Sequence, residues 1–531
     1  MTDAIRAWLA SHKYARLLYP ALILATLAAY GSARLSGKGH IFFYIMAAVL
    51  LLFIFRPNSI LHKLSVAHTS LPKLTLTGII ALLTVYAVVL PMDMLPLWNG
   101  EIPGHRNQYE LMADAILEGR VEFAYGDEDS LAKLDNPYDP AERKEKKVYY
   151  HWDHAYYDGH YYMYFGVAPV FLVFIPFKLL TGQALTTFHA TQLFSAAAIL
   201  GIFLLFELLA RLFFKRMSYG VYITLSVAFS VMSLWYATAE PALYCTAITA
   251  AIALEVWSIY FFVRAVWGEK SENKQILLAG VGALFGALVF ACRPPIALAN
   301  VAVLPMLLVF LRGRKITVGL VAKLVCAALP YLAVGAGLMY YNYIRFADPF
   351  EFGQAYQLTV ADQSNYKVTL NLESILRIIN EGAANFFEFR DMKTEFPYIR
   401  TSSVFFNFPI LLFISGLFAS RVRKSMKRRA LTPLVAGICT AVLVIVAMDI
   451  LWSPYLLERY RMDIYFLLGI LCFITIGVLL NTSRPEARGR LGTFVCAAAL
   501  LTIVCSYLYC VQTIGNYYPD MIEELADKLK F

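Results

Sequence analysis

Long apolar segments constrain the fold of this chain more than any other feature of its sequence. Runs of about 17 to 25 predominantly apolar residues recur along it, and a helix of that length crosses the hydrocarbon core of a bilayer. Inside the bilayer no water bonds the backbone N–H and C=O groups, so a spanning segment must be a helix or part of a closed barrel. The sequence therefore predicts an all-α, polytopic membrane protein.

The composition supports this prediction. Of the 531 residues, 59% are hydrophobic and only 16% are charged, with a mean hydropathy of +0.59, which is far more apolar than a soluble domain. The 8 cysteines lie within or at the ends of apolar runs without metal-ligand spacing, so we expect them to be small core residues. We predict about thirteen membrane helices, near residues 17–33, 41–55, 74–94, 188–210, 218–236, 241–264, 275–292, 296–311, 319–340, 404–419, 433–452, 464–481 and 493–512.

The basic residues are expected to set the orientation of the chain rather than to bind nucleic acid. The formal net charge is +9, but the Lys and Arg residues cluster in short loops between apolar runs, such as SRVRKSMKRR at 420–429. Short loops rich in Lys and Arg stay on the cytoplasmic side of a membrane. We therefore predict a multi-pass protein of the plasma membrane with a cytoplasmic N-terminus, an external C-terminus and no nucleic-acid partner.

One apolar stretch, Tyr164 to Leu180, is predicted not to cross the bilayer. Pro169 and Pro176 interrupt it. If it crossed, every later basic loop would lie outside, whereas all of these loops fall inside if it stays at the outer surface or dips in and returns. We therefore predict a re-entrant or interfacial segment, which is allowed where protein or water shelters the backbone. The polar clusters of the chain then share the outer face.

A polar, Tyr-rich loop at 95–187 holds the densest group of chemically active side chains. Apolar residues recur at steps of three and four from Tyr109 to Leu117, and Gly119 follows as a C-cap. This spacing predicts a short amphipathic helix lying on the bilayer surface. The stretch KKVYYHWDHAYYDGHYYMYFGVAP then adds histidine, aspartate and aromatic side chains. We expect this loop to cap an active site.

The order of elements around this loop resembles that of the GT-C superfamily of integral membrane glycosyltransferases. A membrane span is followed by the Tyr-containing helix ending in Gly119, an aromatic segment running into YFGVAP, an apolar stretch ending in Gly182, and a span ending in LLARLFFKR. The superfamily includes protein mannosyltransferases and the aminoarabinose transferases of lipid A. The resemblance covers roughly 74–311, preceded by two membrane helices and a cytoplasmic loop at 1–73 and followed by membrane helices at 312–531 with an outer loop at 341–403.

The resemblance implies an inverting glycosyltransferase. Such an enzyme moves a sugar from a polyprenyl-phosphate-linked donor to a lipid or glycan acceptor at the outer face of the membrane, with a carboxylate of the first outer loop as general base. It implies membrane lipids as further partners. The sequence departs from the family pattern in one respect, because His105, Arg106 and Asn107 stand where the family commonly has an acidic residue before the amphipathic-helix Tyr.

Three carboxylates are candidates for the general base. A base must lie within hydrogen-bond reach of an acceptor hydroxyl, which favours Asp or Glu in a sheltered site. Asp153 in HWDHAYYDGHYY is the first candidate, followed by Asp93 at the outer end of a span and Glu240 before Pro241. The alternative for Asp153 is an interfacial carboxylate that is bonded to neighbouring Tyr or His side chains.

Four arginines at outer helix ends are candidates for holding the donor phosphate. They are Arg293, Arg345, Arg459 and Arg461. A guanidinium makes planar, bidentate contacts to phosphate, and an Arg at membrane depth is a functional candidate by default. The alternative is an Arg whose charged head reaches the interface while its stem lies in the lipid. We expect Asp463 and Glu458 to pair with these arginines or to orient them.

Sugar and acceptor recognition requires aromatic faces beside hydrogen-bonding groups. We predict that role for the following residues of the outer loop: His105, Gln108, Tyr109, His154, Tyr157 and Tyr162. The alternative is an aromatic belt, because Tyr and Trp are enriched at membrane interfaces in general. The sequence assigns no cofactor and no metal ligands, and it leaves a requirement for a divalent metal open.

Two other classes of function stay open at this stage. A transporter or flippase of a lipid-linked sugar would place polar residues near the middle of the bilayer on broken helices. Most of the predicted spans lack ionisable residues at that depth, with Glu255 as the clearest exception. A receptor or scaffold would need no converging set of arginines and acids. These observations favour an enzyme at the outer face.

Overall fold

The computed structural model describes most of the chain but not its N-terminal part. The described ranges are 60–67, 70–93, 107–126, 130–241, 243–364, 369–391, 393, 397–453 and 456–523. The predicted spans 17–33 and 41–55 and the candidate residue His105 lie outside these ranges. Asp93 is the last residue of a described helix, but its side chain is not among those described.

Ten helices in the described part are long and apolar enough to cross a membrane, which confirms the all-α, polytopic class. They correspond to ten of the predicted spans. Their bounds are Leu71–Met92, Thr187–Phe213, Tyr219–Ala239, Leu243–Gly268, Glu272–Phe290, Pro294–Leu311, Val318–Phe346, Thr432–Trp452, Glu458–Thr482 and Pro485–Gly515. The shorter helices are Ile60–Lys63, Gln108–Leu117, Pro140–Glu145, Val170–Thr181, Leu372–Phe387, Val404–Asn407, Pro409–Phe418 and Ser420–Arg428, and the strands are Glu122–Phe123, His154–Tyr157 and His160–Met163.

Two helices form the centre of the bundle and one forms its edge. Tyr219–Ala239 and Glu458–Thr482 are almost entirely enclosed by other helices, whereas Val318–Phe346 exposes most of its surface. Apolar residues surround the middle of all three helices, because lipid tails and the protein interior accept the same side chains. Several hydroxyls inside the bundle are bonded back to their own helix, as Ser226 Oγ is to the Tyr222 carbonyl at 2.9 Å, and others bond a neighbouring helix, as Ser258 Oγ does the Gly282 carbonyl at 2.9 Å. Burial, rather than an amphipathic pattern, therefore distinguishes central from peripheral helices.

The predicted span 404–419 is a short helix followed by a 3₁₀ helix, Pro409–Phe418. Asn407 Nδ2 donates to Tyr465 Oη at 3.2 Å near the start of the neighbouring helix. Gly416 lies against Thr475 and Leu479 near the other end of that helix. A 3₁₀ helix rises about 2.0 Å per residue instead of about 1.5 Å. The segment therefore runs along most of Met462–Thr482 with fewer residues than an α-helix would need.

The apolar stretch from Tyr164 to Thr181 returns to the side of the bundle from which it starts. Its first residue donates its backbone N–H to Gln108 Oε1 at 3.2 Å, and Lys178 near its end pairs with Asp114. Both partners belong to the helix Gln108–Leu117, which at ten residues is only about 15 Å long. This confirms the prediction that the stretch does not cross the bilayer. We call this side of the bundle the loop side.

A three-stranded antiparallel sheet in the loop was not predicted. The hairpin Tyr157–His160 turns through Asp158 and Gly159, whose φ values of 48° and 81° suit the Asp-Gly turn of a two-residue hairpin. The strand His154–Tyr157 also exchanges backbone hydrogen bonds with a segment about 200 residues away, since Leu358 N donates to His154 O at 2.9 Å. The sheet therefore ties the first loop to the loop after Val318–Phe346.

Gly166 holds the non-spanning stretch against the membrane helices. A Cβ at this position would overlap the backbone carbonyls of Ala291 and Cys292, and Ala168 N donates to Ala291 O at 2.9 Å beside it. We expect Gly166→Ala to lower stability by about 1–3 kcal/mol because backbone cannot move aside cheaply. Thermal unfolding in detergent measures this loss. Gly335→Ala is the matched control, since its Cβ would meet nothing within 4 Å, and equal melting temperatures for both variants would contradict the expectation.

Candidate functional site

Asp153 is held at the loop side by three separate parts of the chain. Its side chain accepts a hydrogen bond from Tyr244 Oη and another from Gln357 Nε2 at 2.9 Å, while its backbone carbonyl accepts from Gln108 Nε2 at 2.8 Å. The residue is 6% exposed and adopts a φ of 54°, a left-handed conformation that Asp tolerates better than most residues. The carboxylate therefore has one fixed orientation.

The environment of Asp153 changes its acidity. Burial raises the pKa of this carboxyl, and the hydrogen bond from Tyr244 and the positive charge of Arg459 oppose the rise without cancelling it. A general base is most effective when its pKa approaches the working pH. A raised pKa therefore makes the Asp153 carboxylate a stronger base than an exposed aspartate, while its neighbours keep the charged form accessible.

Arg459 supplies a cation beside this carboxylate. Its guanidinium lies 4.2 Å from the ring centroid of Tyr244 and 5.6 Å from that of Tyr460, so the two aromatic faces hold it. Among the described residues it makes no hydrogen bond to another side chain or carbonyl. Its N–H groups can therefore bind an anion in the space next to Asp153.

Arg293 is the second cation of the site. Unlike Arg459, it is paired with a carboxylate. Its Nε lies 2.9 Å from both carboxylate oxygens of Asp463 and an Nη lies 2.7 Å from one of them, which is a fork-shaped ion pair. Asp463 is fully buried, and the pair confirms the prediction that it binds an arginine. Burial alone would lower the pKa of Arg293, but the Asp463 carboxylate raises it above its ordinary value. Arg293 is therefore a permanent cation.

Tyr460 and Tyr164 connect the two cations and the carboxylate. The guanidinium of Arg293 lies 5.1 Å from the ring centroid of Tyr460, the same ring that Arg459 contacts. Burial, with the nearby Tyr460 phenol, raises the pKa of Tyr164 to about 12, and both Asp153 and Arg293 act on this hydroxyl electrostatically. The carboxylate and the two guanidinium groups therefore belong to one site.

Two of the predicted phosphate-binding arginines are bonded to the protein itself. Arg345 is buried and donates to Met163 O at 2.8 Å and to Asn342 Oδ1 at 2.7 Å. Arg461 donates from Nε to Asn385 Oδ1 at 2.9 Å and also to a backbone carbonyl. Their role in phosphate binding stays a prediction. The structure brings Arg293 and Arg459, rather than these two, to Tyr460.

Glu240, the third candidate base, lies next to a different tyrosine. Its Oε1 accepts from Tyr517 Oη at 2.9 Å, and Arg459 acts electrostatically on that same tyrosine. Glu240 caps the end of the helix Tyr219–Ala239 and is partly exposed. It therefore stands at the rim of the site, and its catalytic role stays a prediction.

Only one of the described residues predicted to recognise sugar or acceptor contacts Asp153 through its side chain. The side chain of Gln108 forms hydrogen bonds with both the Asp153 carbonyl and the Tyr164 backbone N–H.

His154 lies in the sheet, away from this contact. Its two ring nitrogens lie 2.8 Å from Tyr125 Oη and 2.8 Å from the Trp152 carbonyl oxygen, and burial lowers the pKa of His154 to about 4. This histidine is therefore neutral at physiological pH.

The remaining three predicted tyrosines pack against aromatic rings. Tyr109 is fully buried in the helix Gln108–Leu117 and stacks on Phe174 with centroids 5.3 Å apart. Tyr157 and Tyr162 both contact the ring of Phe346, at 5.8 and 5.4 Å. These contacts form the underside of the loop, and a role in ligand binding stays a prediction for each residue.

Sequence reasoning missed Tyr244, Gln357, Tyr460 and Asp449. Tyr244 and Gln357 lie 91 and 204 residues from Asp153 along the chain, so no local pattern links them to it. Asp449 carried a signal, because an acidic residue within the apolar run VAMDILW is a functional candidate at membrane depth. Within the described ranges, no three His, Cys, Asp or Glu side chains converge to hold a metal ion.

The pH dependence of activity tests the link between Tyr244 and Asp153. Tyr244→Phe removes a hydrogen bond that stabilises the charged carboxylate, so the pKa of Asp153 should rise further. A base works only when deprotonated; activity therefore increases as pH rises through this pKa, and the increase should move to higher pH in the variant. We expect a severalfold lower rate on the acidic side of the profile. Tyr149→Phe, at an exposed position, is the control, and identical profiles for both variants would contradict the expectation.

Comparison with known proteins gives matches among solved structures alone. No family model and no curated protein matches the sequence. The apo crystal structure of the oligosaccharyltransferase of Archaeoglobus fulgidus matches 82% of this chain and 56% of its own, with a TM-score of 0.44 and 13% identity. The oligosaccharyltransferase AglB of the same organism, in complex with an inhibitory peptide and a dolichol-phosphate, matches 82% of this chain and 56% of its own, with a TM-score of 0.39 and 13% identity. This chain thus spans little more than half the length of those proteins.

A bacterial structure is similar over more of its length. ArnT from Cupriavidus metallidurans, bound to undecaprenyl phosphate, matches 86% of this chain and 73% of its own, with a TM-score of 0.41 and 14% identity. All three likenesses are distant.

Proposed function

We propose that this chain is a membrane glycosyltransferase of the GT-C type. One observation carries the proposal: a buried carboxylate with a raised pKa, Asp153, stands beside two guanidinium groups at the polar end of an apolar helix bundle. A carboxylate of this kind accepts a proton from a hydroxyl, and guanidinium groups bind phosphate. The bundle itself offers apolar surface to the lipid part of a donor. The donor proposed is a polyprenyl-phosphate-linked sugar, the class of lipid phosphate named in two of the similar structures.

In the proposed reaction each group has one role. Asp153 accepts the proton of the acceptor hydroxyl as the acceptor oxygen bonds to the anomeric carbon of the sugar. The bond between that carbon and the phosphate oxygen breaks, and the oxygen keeps the electron pair. Arg459, with Arg293 beside it, stabilises the charge that develops on the leaving phosphate. Attack on the face opposite the phosphate inverts the anomeric centre.

The orientation proposed follows from the basic loops. Arg429 contacts the Phe213 carbonyl at the end of the bundle opposite Asp153, where the basic residues Lys215 and Arg216 also lie. If these loops are cytoplasmic, the loop side faces outward and the reaction takes place outside the plasma membrane. Labelling of single cysteines placed at Asp135 and at Lys427 in intact cells tests this. Only the first should react with a membrane-impermeant reagent.

A transporter of lipid-linked sugar is the second candidate, favoured by a single observation. Glu255 is fully buried within the span Leu243–Gly268 and accepts from Asn300 Nδ2 at 3.3 Å. A carboxylate at that depth is a typical feature of transport proteins. Replacement of Glu255 by glutamine should leave sugar transfer intact if the chain is an enzyme.

The deciding experiment measures transfer and translocation in the same liposomes. Purified chain is reconstituted with polyprenyl-phosphate-linked sugars and a lipid acceptor fraction, and both products are followed. Transfer by the wild type that is lost in Asp153→Ala and Arg293→Ala supports the enzyme. Translocation of the lipid-linked sugar without any transferred product would overturn it and favour the transporter.

A further inference from the structure

The helix Leu372–Phe387, which follows the span Val318–Phe346, is apolar on the face that points away from the protein. Large apolar side chains recur along it at steps of three and four residues, and a final one follows two turns later, so that they share one face. They are Leu372, Ile375, Leu376, Ile379 and Phe387, each between 47% and 72% exposed. A contiguous apolar face of this kind marks a contact with another protein or with a membrane.

The polar side chains on the opposite face of this helix contact the protein. Arg377 donates from Nη2 to the Ser453 carbonyl at 2.7 Å, directly after the end of the span Thr432–Trp452. Asn385 is buried, and its Oδ1 accepts from Arg461 Nε at 2.9 Å. A helix on the surface of a soluble protein has the reverse arrangement, because its apolar face packs against the core. The medium outside this helix is therefore apolar.

Contacts with a membrane span fix the depth of the helix. The span Thr432–Trp452 has 21 residues and is about 32 Å long, close to the hydrocarbon thickness of a bilayer, which is about 30 Å. A Cβ at Gly382 would lie 3.8 Å from Ile450 Cδ1 and 4.0 Å from Val446 Cγ1 of this span. These two residues precede Trp452 by about 3 and 9 Å along the axis. The middle of the helix therefore lies within the hydrocarbon region and not above it.

The apolar face continues into the outer surface of a neighbouring apolar segment. The ring centroid of Phe387 lies 5.2 Å from that of Phe405, and the centroid of Phe389 lies 5.3 Å from that of Phe406. Phe389 and Phe406 are themselves exposed. These aromatic contacts lead directly into the apolar 3₁₀ helix Pro409–Phe418, which runs along a central span of the bundle. The outward face of the amphipathic helix is therefore part of the same apolar surface as the membrane segments.

Lipid is the partner that fits this face. At the depth of Val446, acyl chains surround every part of the protein that other helices do not cover. Glu373 and Asn380 are exposed along one edge of the apolar face, on the same side of the helix as each other. A helix in the plane of a membrane interface turns such a polar edge to the headgroups and its apolar face to the acyl chains. The pattern therefore matches a bilayer interface and not a loop in water.

We infer that Leu372–Phe387 is embedded in the leaflet on the loop side, with its outward face against the acyl chains of membrane lipids. This arrangement holds whether the chain transfers a lipid-linked sugar or transports it. It also connects the bilayer to the candidate site. Through the hydrogen bond between Asn385 and Arg461, the embedded helix holds the segment Glu458–Arg461, which carries Arg459.

Accessibility of a spin label on the full-length chain in phosphatidylcholine nanodiscs tests this. Cys326 and Cys439, the two cysteines that are not buried, are first replaced by alanine. A nitroxide is then attached to Ile379→Cys, and its collisions with oxygen, which concentrates in lipid, are compared with its collisions with a water-soluble nickel chelate. The oxygen-to-nickel ratio should be severalfold higher than at Asp135→Cys, in the outer loop, and should approach that at Leu332→Cys, on the peripheral span.

A second labelled position keeps the test decisive. Leu376→Cys lies on the same face and should give the same high ratio as Ile379→Cys, which guards against a local distortion at either label. Ratios as low as that at Asp135→Cys at both positions would place the helix in water and overturn the inference. Few collisions with either reagent at both positions would show that protein, such as a second copy of the chain, covers the face, and this result also overturns it.

Discussion

Asp153→Asn is expected to lower the rate of sugar transfer by about two to four orders of magnitude, the range that a general base contributes. The amide has the same shape as the carboxylate, and its single oxygen can accept from Gln357 Nε2 while its NH2 group donates to the Tyr244 hydroxyl oxygen. Asparagine also adopts the left-handed backbone conformation of this position readily. The variant therefore folds but cannot take a proton from an acceptor hydroxyl. Single-turnover measurements with a saturating donor give the rate.

Asp158→Asn is the matched control for this experiment. Asp158 lies five residues along the same loop, has a φ of 48° and is exposed in the hairpin turn. Its replacement changes the same charge in the same backbone conformation, so the transfer rate should stay within about twofold of wild type. The affinity for bare lipid phosphate should be unchanged in both variants. An Asp153→Asn enzyme with the rate of wild type would remove Asp153 from the mechanism.

The membrane helices could be predicted from the sequence because their signal is local. A run such as Thr432–Trp452 is apolar over its whole length and needs no knowledge of its neighbours to be recognised. The return of the stretch after Tyr164 was also predictable, because basic loops far along the chain constrain the side on which it lies. The 3₁₀ geometry of Pro409–Phe418 could not be predicted, because the composition of a 3₁₀ helix does not distinguish it from an α-helix.

The site was predictable in its residue types and not in its pairings. An aspartate in the loop and arginines at helix ends are the residue types that the proposed chemistry requires, and Asp153, Arg293 and Arg459 lie around the same two tyrosines, Tyr244 and Tyr460. Their partners depend on which helices become neighbours. The ion pair between Arg293 and Asp463 joins positions 170 residues apart, and packing of the helices alone brings them together.

Arg293→Gln is expected to destabilise the protein by about 3–5 kcal/mol, because it leaves the carboxylate of Asp463 buried without its cation. Asp463 is fully buried, and in the described part of the chain Arg293 is the residue that bonds it. Unfolding in detergent, followed by the loss of helical signal, measures the change. Arg390→Gln, at an exposed arginine, serves as the control and should unfold like wild type.

The double variant Arg293→Gln with Asp463→Asn separates stability from binding. Two neutral amides can bond each other in the same space, so most of the lost stability should return, since replacing both members of a buried ion pair is often nearly neutral. The affinity for polyprenyl phosphate should stay at least about tenfold below that of wild type, because the permanent cation is missing. A double variant that recovers both stability and lipid affinity would make Arg293 a structural residue only and leave Arg459 to hold the phosphate.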